Sequence, residues 1–143
     1  MEPKYITFEQ AKFFSSKELD IDCTSFYVKP NCKLFSVDEH GRHYSIKNTP
    51  KKLYKLGEHF VLKDKNVILA PEQHQVVDWL RVTHDIHVFY LFEIETKKYS
   101  WEIWDDKKEQ NHSYNSNSSK WNFNSPKEAY SAGFDYIKDN NLI

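Results

Sequence analysis

The segment from Ile86 to Ile94 constrains the fold more than any other stretch of the chain. It is a nearly continuous apolar run of strand length, rich in β-branched and aromatic side chains. Successive side chains on a strand point to opposite faces. One face of this strand therefore carries Ile86, Val88, Tyr90 and Phe92, and the other carries His87, Phe89 and Leu91. A sheet that is covered on one side only alternates apolar with polar residues. This strand does not, so both of its faces call for cover.

The flanking sequence supplies cover for one of them. Upstream, Ala70-Pro71-Glu72-Gln73 places Pro at a first helical position with an acid behind it, a helix start. Val76, Val77 and Leu80 then share a face beside Trp79, and the helix should end near Thr83-His84. Downstream, Glu95-Thr96-Lys97 reads as a turn into a second strand over 98–105, with Tyr99, Trp101 and Ile103 on one face and Ser100, Glu102 and Trp104 on the other. Asn and Ser dominate residues 105–120, where Tyr114 is the one large apolar side chain, so the pattern predicts a mobile surface loop. Trp121-Asn122-Phe123 is the expected third strand. Ser125-Pro126-Lys127-Glu128 is a capping box with Pro at N1, followed by Ala129, Tyr130, Gly133, Phe134 and Ile137 on one helical face. The order helix-strand-strand-strand-helix predicts an α+β fold, an antiparallel sheet with both helices packed on one face.

The first half of the chain should help to cover the other face. Thr7 with Gln10 has the spacing of a capping box, and Ile6 with Ala11 that of a hydrophobic staple, so a helix is expected from about Phe8 to Glu18. Beyond it the signal turns to β. Phe26-Tyr27-Val28 and Leu34-Phe35-Ser36-Val37 are short strands, and Asp38-Glu39-His40-Gly41 is a turn into Arg42–Ile46. Residues 48–52 are polar and read as a loop, and Phe60–Leu62 with Val67–Leu69 reads as a second hairpin. The whole is expected to be a single domain over 1–143, with an N-terminal helix and hairpins over 1–69 and an α-β-β-β-α unit over 70–143. If the hairpins cover only part of the second face, an aromatic patch of Phe89, Leu91 and Trp104 is left for association.

Composition excludes several function classes. The chain has 20 basic and 21 acidic residues and a formal charge of −1, so it lacks the basic excess that a nucleic-acid coat uses to hold phosphates. Aromatics make up 16% of the residues, which argues for a folded chain because disordered chains are poor in them. No apolar run reaches the roughly 18–20 residues of a membrane helix. The start from Met1 to Gln10 has no basic stretch followed by an apolar one, so no secretory signal is expected. Cys23 and Cys32 are then expected as free thiols in the cytoplasm.

Three stretches carry a family resemblance. They are Tyr5-Ile6-Thr7-Phe8-Glu9-Gln10-Ala11-Lys12 at the start, Ala70-Pro71 with Val77-Asp78-Trp79-Leu80-Arg81 and His84-Asp85-Ile86-His87 in the middle, and a closing helix with Glu128-Ala129. In this order the chain resembles, over nearly its full length, a family of small proteins of no established activity encoded in phages and prophages of Bacteroidales bacteria. The Trp-Leu-Arg phrase followed by His-x-Ile-His is its most specific part. The resemblance implies a phage or prophage origin and a host cytoplasmic location. It carries over no catalytic residue.

The remaining candidates are individually weak. His84 and His87 have the look of half a metal site, but no paired Cys or His motif supplies the other ligands that zinc requires. The simpler expectation puts His84 in a last helical turn, where an imidazolium is favoured, and leaves His87 alternating on its strand. Cys23 and Cys32, with His40 or His43 as base, could in principle form a thiol site, yet sequence spacing brings no base and orienter to either sulfur. The turn His40-Gly41-Arg42-His43 has no glycine-rich nest to make it a phosphate site. A duplex-RNA module would share the element order but needs a basic cluster, whereas Lys107 and Lys108 adjoin Asp105 and Asp106. The sequence thus predicts no catalytic site, metal or cofactor. It predicts a non-enzymatic accessory protein that binds a protein partner or itself, with a nucleic-acid-binding accessory protein as the alternative and an enzyme of another type as the third.

Overall fold

The computed structural model describes residues 4–19, 21, 25–28, 33–37, 42–45, 54–55, 67–107, 112–115 and 122–143. They form an α+β protein with antiparallel sheets, divided into two compact units. One spans Tyr5–Glu72, and the other Gln73–Ile143 together with the first four residues.

The first unit opens with helix α1 (Phe8–Ser16). Its start is the predicted capping box: Gln10 N–H donates to Thr7 Oγ1 at 3.2 Å, and Thr7 N–H donates to Gln10 Oε1 at 3.0 Å. Ile6 and Ala11, the staple pair, are both buried. The helix stops two residues earlier than Glu18 because Glu18 takes a left-handed backbone (φ 61°). Leu19 N–H then donates to Phe14 C=O and Glu18 N–H to Ser15 C=O, the pairing of a Schellman motif.

Beside this helix stand five strands, β1 (Ser25–Val28), β2 (Lys33–Val37), β3 (Arg42–Ser45), β4 (Tyr54–Lys55) and β5 (Val67–Leu69), in the order β4-β3-β2-β1-β5. The β2–β3 pairing has Val37 opposite His43, one residue further along than a turn with Asp38 first and Gly41 last would set it, and the turn residues themselves lie outside the described set. β5 takes β1 as its partner, with Tyr27 opposite Ile68. Phe60–Leu62, its expected hairpin partner, and the loop over 48–52 also lie outside the described residues. Phe14, Phe26, Tyr27 and Ile68 fill the core of this unit, and the buried Tyr27 hydroxyl donates to the Ile6 carbonyl at 2.6 Å.

The second unit begins with helix α2 (Gln73–His84). It starts two residues later than the Pro71 signal implies. Tyr5 and Glu72 form an antiparallel bridge, so the Pro71 carbonyl is occupied by Ile6 N–H and the helix opens only past Glu72. Asp85, in a left-handed conformation (φ 53°), turns the chain directly into β6 (Ile86–Glu93), which pairs along its length with β7 (Lys98–Asp105). The hairpin loop between them ends on Lys97, also left-handed (φ 54°).

The third strand corrects the sequence prediction. It is β8 (His112–Asn115), placed inside the segment expected to be a mobile loop, and it pairs with β7 so that Tyr114 lies opposite Ile103. Apart from Tyr114, its residues are poor strand formers. They are recruited because β7 has a second edge whose backbone groups take partners. Phe123, from the expected strand, contributes a single bridge to Tyr99.

Helix α3 (Pro126–Asp139) closes the chain. Ser125 Oγ accepts the Glu128 N–H, but the Glu128 carboxylate accepts from Asn124 N–H, one residue before the cap, so the box is not reciprocal as predicted. The helix ends in a second Schellman motif, with Asn141 (φ 48°) in the left-handed position. Gly133 of α3 faces the sheet, where a Cβ would stand in van der Waals contact, 3.4 Å from a Val88 methyl and 3.7 Å from the Trp101 ring.

Candidate interaction face

The register of β6 on β7 sorts the second sheet into two faces. Pairs Ile86–Asp105, Val88–Ile103, Tyr90–Trp101 and Phe92–Tyr99 project one way, and His87–Trp104, Phe89–Glu102, Leu91–Ser100 and Glu93–Lys98 the other. The first face is the core. Ile86, Val88, Trp101 and Ile103 are buried there with Val76, Trp79 and Leu80 of α2 and Ala129, Phe134 and Ile137 of α3. Tyr136 of α3 packs on Trp101 with ring centres 4.9 Å apart and on Tyr114 at 5.5 Å. Towards the hairpin end this face thins out: Tyr90 is 43% and Phe92 48% exposed, and Tyr90 leans edge-on against Tyr130 at 5.3 Å. Partial burial, reinforced by Tyr90, raises the Tyr130 pKa above the usual phenol value.

The second face keeps its apolar side chains in contact with solvent. Phe89 is 41% exposed, Leu91 39% and Trp104 46%, so all three predicted surface residues stand on one face. They form an ordered row. The His87 ring stacks on Phe89 (6.2 Å, 12° between planes), and Phe89 meets Trp104 edge-on at 6.1 Å. Trp104 is further fixed by its indole N–H, which donates to Glu102 Oε1 at 2.8 Å. His87 Nε2 lies 3.0 Å from Asp106 Oδ2. The rim is mixed in charge, with Glu93, Glu102 and Asp106 against Lys98, which itself bonds Asn124 Oδ1. The His87–Asp106 contact was not legible in the sequence, since it follows from the strand register and its end, whereas Glu102 and Trp104 were already placed on one face by alternation.

His84 and His87 do not form a pair. His84 packs edge-on against Trp79 at 4.6 Å, beside the core, while His87 sits on the open face with Asp106. Among the described residues no group of three or more His, Cys, Asp or Glu side chains is placed to hold a metal. Cys23, Cys32 and His40 lie outside the described residues, and His43 is placed on β3 by its backbone alone. No described helix is long and apolar enough to cross a membrane.

Comparison with known proteins found no matching family model, no matching curated protein and no matching solved structure.

Proposed function

We propose that this is a small accessory protein, of phage or prophage origin as its resemblance implies, that acts by binding protein through the open face of the β6–β7–β8 sheet. The observation that carries the proposal is the row of Phe89, Leu91 and Trp104, each about two-fifths exposed or more on a single face. Large apolar side chains gathered in one exposed patch mark interaction surfaces, and aromatic anchors contribute most to protein–protein affinity. The rim bears on the alternative. Backbone phosphates are held by clustered Lys and Arg, and among the described residues of this face Glu93, Glu102 and Asp106 stand against Lys98, which favours protein over nucleic acid.

The test places a photo-reactive phenylalanine analogue at Leu91 of the full chain and illuminates it in the producing host. A protein adduct that disappears when Phe89 and Trp104 are replaced by Ser supports the proposal. A nucleic-acid adduct, or none, overturns it.

A further inference from the structure

Among the described residues, the second sheet has an open edge as well as an open face. The strand order β6-β7-β8 leaves β6 outermost. Natural sheets blunt such edges with lysines, prolines or bulges. Residues 86–93 contain neither Lys nor Pro, and they pair with β7 residue for residue without a bulge.

The backbone bonding shows which groups this edge presents. Asp106 N–H donates to Asp85 C=O at one end of the ladder, and Tyr99 exchanges both its backbone bonds with Phe123 on the side away from β6. Bonded and non-bonded pairs alternate along an antiparallel ladder. His87, Phe89, Leu91 and Glu93 therefore bond β7, and the N–H and C=O groups of Val88, Tyr90 and Phe92 point off the free edge. None of those three has another backbone partner among the described residues.

We infer that this edge is occupied by the same strand of a second copy, in an antiparallel pairing whose two-fold axis passes beside Tyr90. The inference rests on the association proposed above and specifies its partner. The strand's own sequence selects both the partner and the register. Centred on Tyr90, the pairing sets Val88 against Phe92 of the second copy through the outward backbone groups. It sets Phe89 against Leu91 of the second copy, apolar on apolar, and His87 against Glu93 of the second copy, polar on polar. Each of these pairs occurs twice. Shifting the centre to Phe89 would set His87 against Leu91 and lose the polar pairing. A shift by one residue would join the open face of one copy to the covered face of the other, because side chains alternate with a period of two.

The Tyr90-centred pairing keeps both open faces on one side, so the two Phe89–Leu91–Trp104 rows become one continuous aromatic surface. The formal charge of −1 on each chain opposes the union only weakly.

The full-length chain should show a concentration-dependent rise from one to two chain masses in sedimentation at neutral pH. Tyr90→Lys places two ammonium groups directly opposite each other, which is unfavourable in a strand pair. It should raise the concentration needed for dimerisation about tenfold or more, with the circular dichroism unchanged. Should that variant fail to fold, disulfide trapping decides the matter. Directly paired residues lie about 5.5 Å apart at Cα, within disulfide reach. In a chain with Cys23→Ser and Cys32→Ser, Tyr90→Cys should therefore oxidise to a covalent dimer while Phe92→Cys does not. A monomer at every concentration overturns the inference, as does a dimer that crosslinks as readily through Phe92→Cys as through Tyr90→Cys. A monomer whose Leu91 probe still captures another protein leaves the binding role standing and removes only self-pairing.

Discussion

Both faces of the β6–β7 hairpin carry large apolar side chains, and away from the hairpin loop these meet opposite fates, whereas towards the loop Tyr90 and Phe92 of the first face are about as exposed as Phe89. On adjacent positions of one strand, Val88 is 2% exposed and Phe89 41%. On the next strand Ile103 is fully buried and Trp104 is 46% exposed. On β7 composition already sorts the faces, with Tyr99, Trp101 and Ile103 on one and Ser100, Glu102 and Trp104 on the other, whereas β6 is apolar on both. What separates Val88 from Phe89 is cover. Helices α2 and α3 take up the first face, with Gly133 of α3 against Val88 and Trp101. An apolar side chain contributes to stability only to the extent that folding removes it from water. The open face is therefore a poor source of monomer stability and a good source of binding energy.

That contrast can be broken most decisively by paired truncations. Ile103→Ala should destabilise the protein by about 2–5 kcal/mol, the range for losing a fully buried aliphatic side chain. Trp104→Ala removes a larger side chain, but because nearly half of it is already in water the cost at monomeric concentration should stay near about 1 kcal/mol. Denaturant unfolding measures both, and equal costs would mean that the second face is covered after all. Gly133→Leu probes how closely α3 lies on the core face. Overpacking there should cost about 1–3 kcal/mol, seen as a fall in the urea midpoint. Little change would show that α3 can lift away.

Phe89→Ser and Leu91→Ser should each change monomer stability by less than about 1 kcal/mol, since surface substitutions are usually nearly neutral. The same variants should weaken association, as read by sedimentation. Unaltered association with lost stability would reverse the roles assigned to the two faces. The smallest effect expected is at Tyr130. Its pKa is raised in the folded state, by burial first and by Tyr90 second. The stability it contributes is thus fully present below the unfolded value near pH 10 and is lost as pH rises through the folded value. An alkaline absorbance titration should show one phenol ionising late, and Tyr90→Phe should bring it earlier.

Much of the candidate face was legible before any coordinates. Alternation alone put Phe89 and Leu91 together on β6, and Trp104 with Glu102 on β7. That Trp104 shares a face with Phe89 was expected but not determined by either strand alone, because it depends on the register that sets His87 opposite Trp104. Register is a relation between strands. A slip of one residue would leave each strand's own pattern intact and turn Trp104 into the core.

The sequence by itself determined the features that arise within a few residues. Thr7 and Gln10 cap one helix and Ser125 caps another, because the donors they satisfy are three positions away. It also determined that β6 is apolar on both sides. Only the tertiary structure decided which side became the core, that β5 pairs with β1, and that His112–Asn115 became a strand beside β7. Those outcomes turn on backbone groups of distant segments finding one another, and local propensity yields wherever an unfilled sheet edge offers two partners per residue.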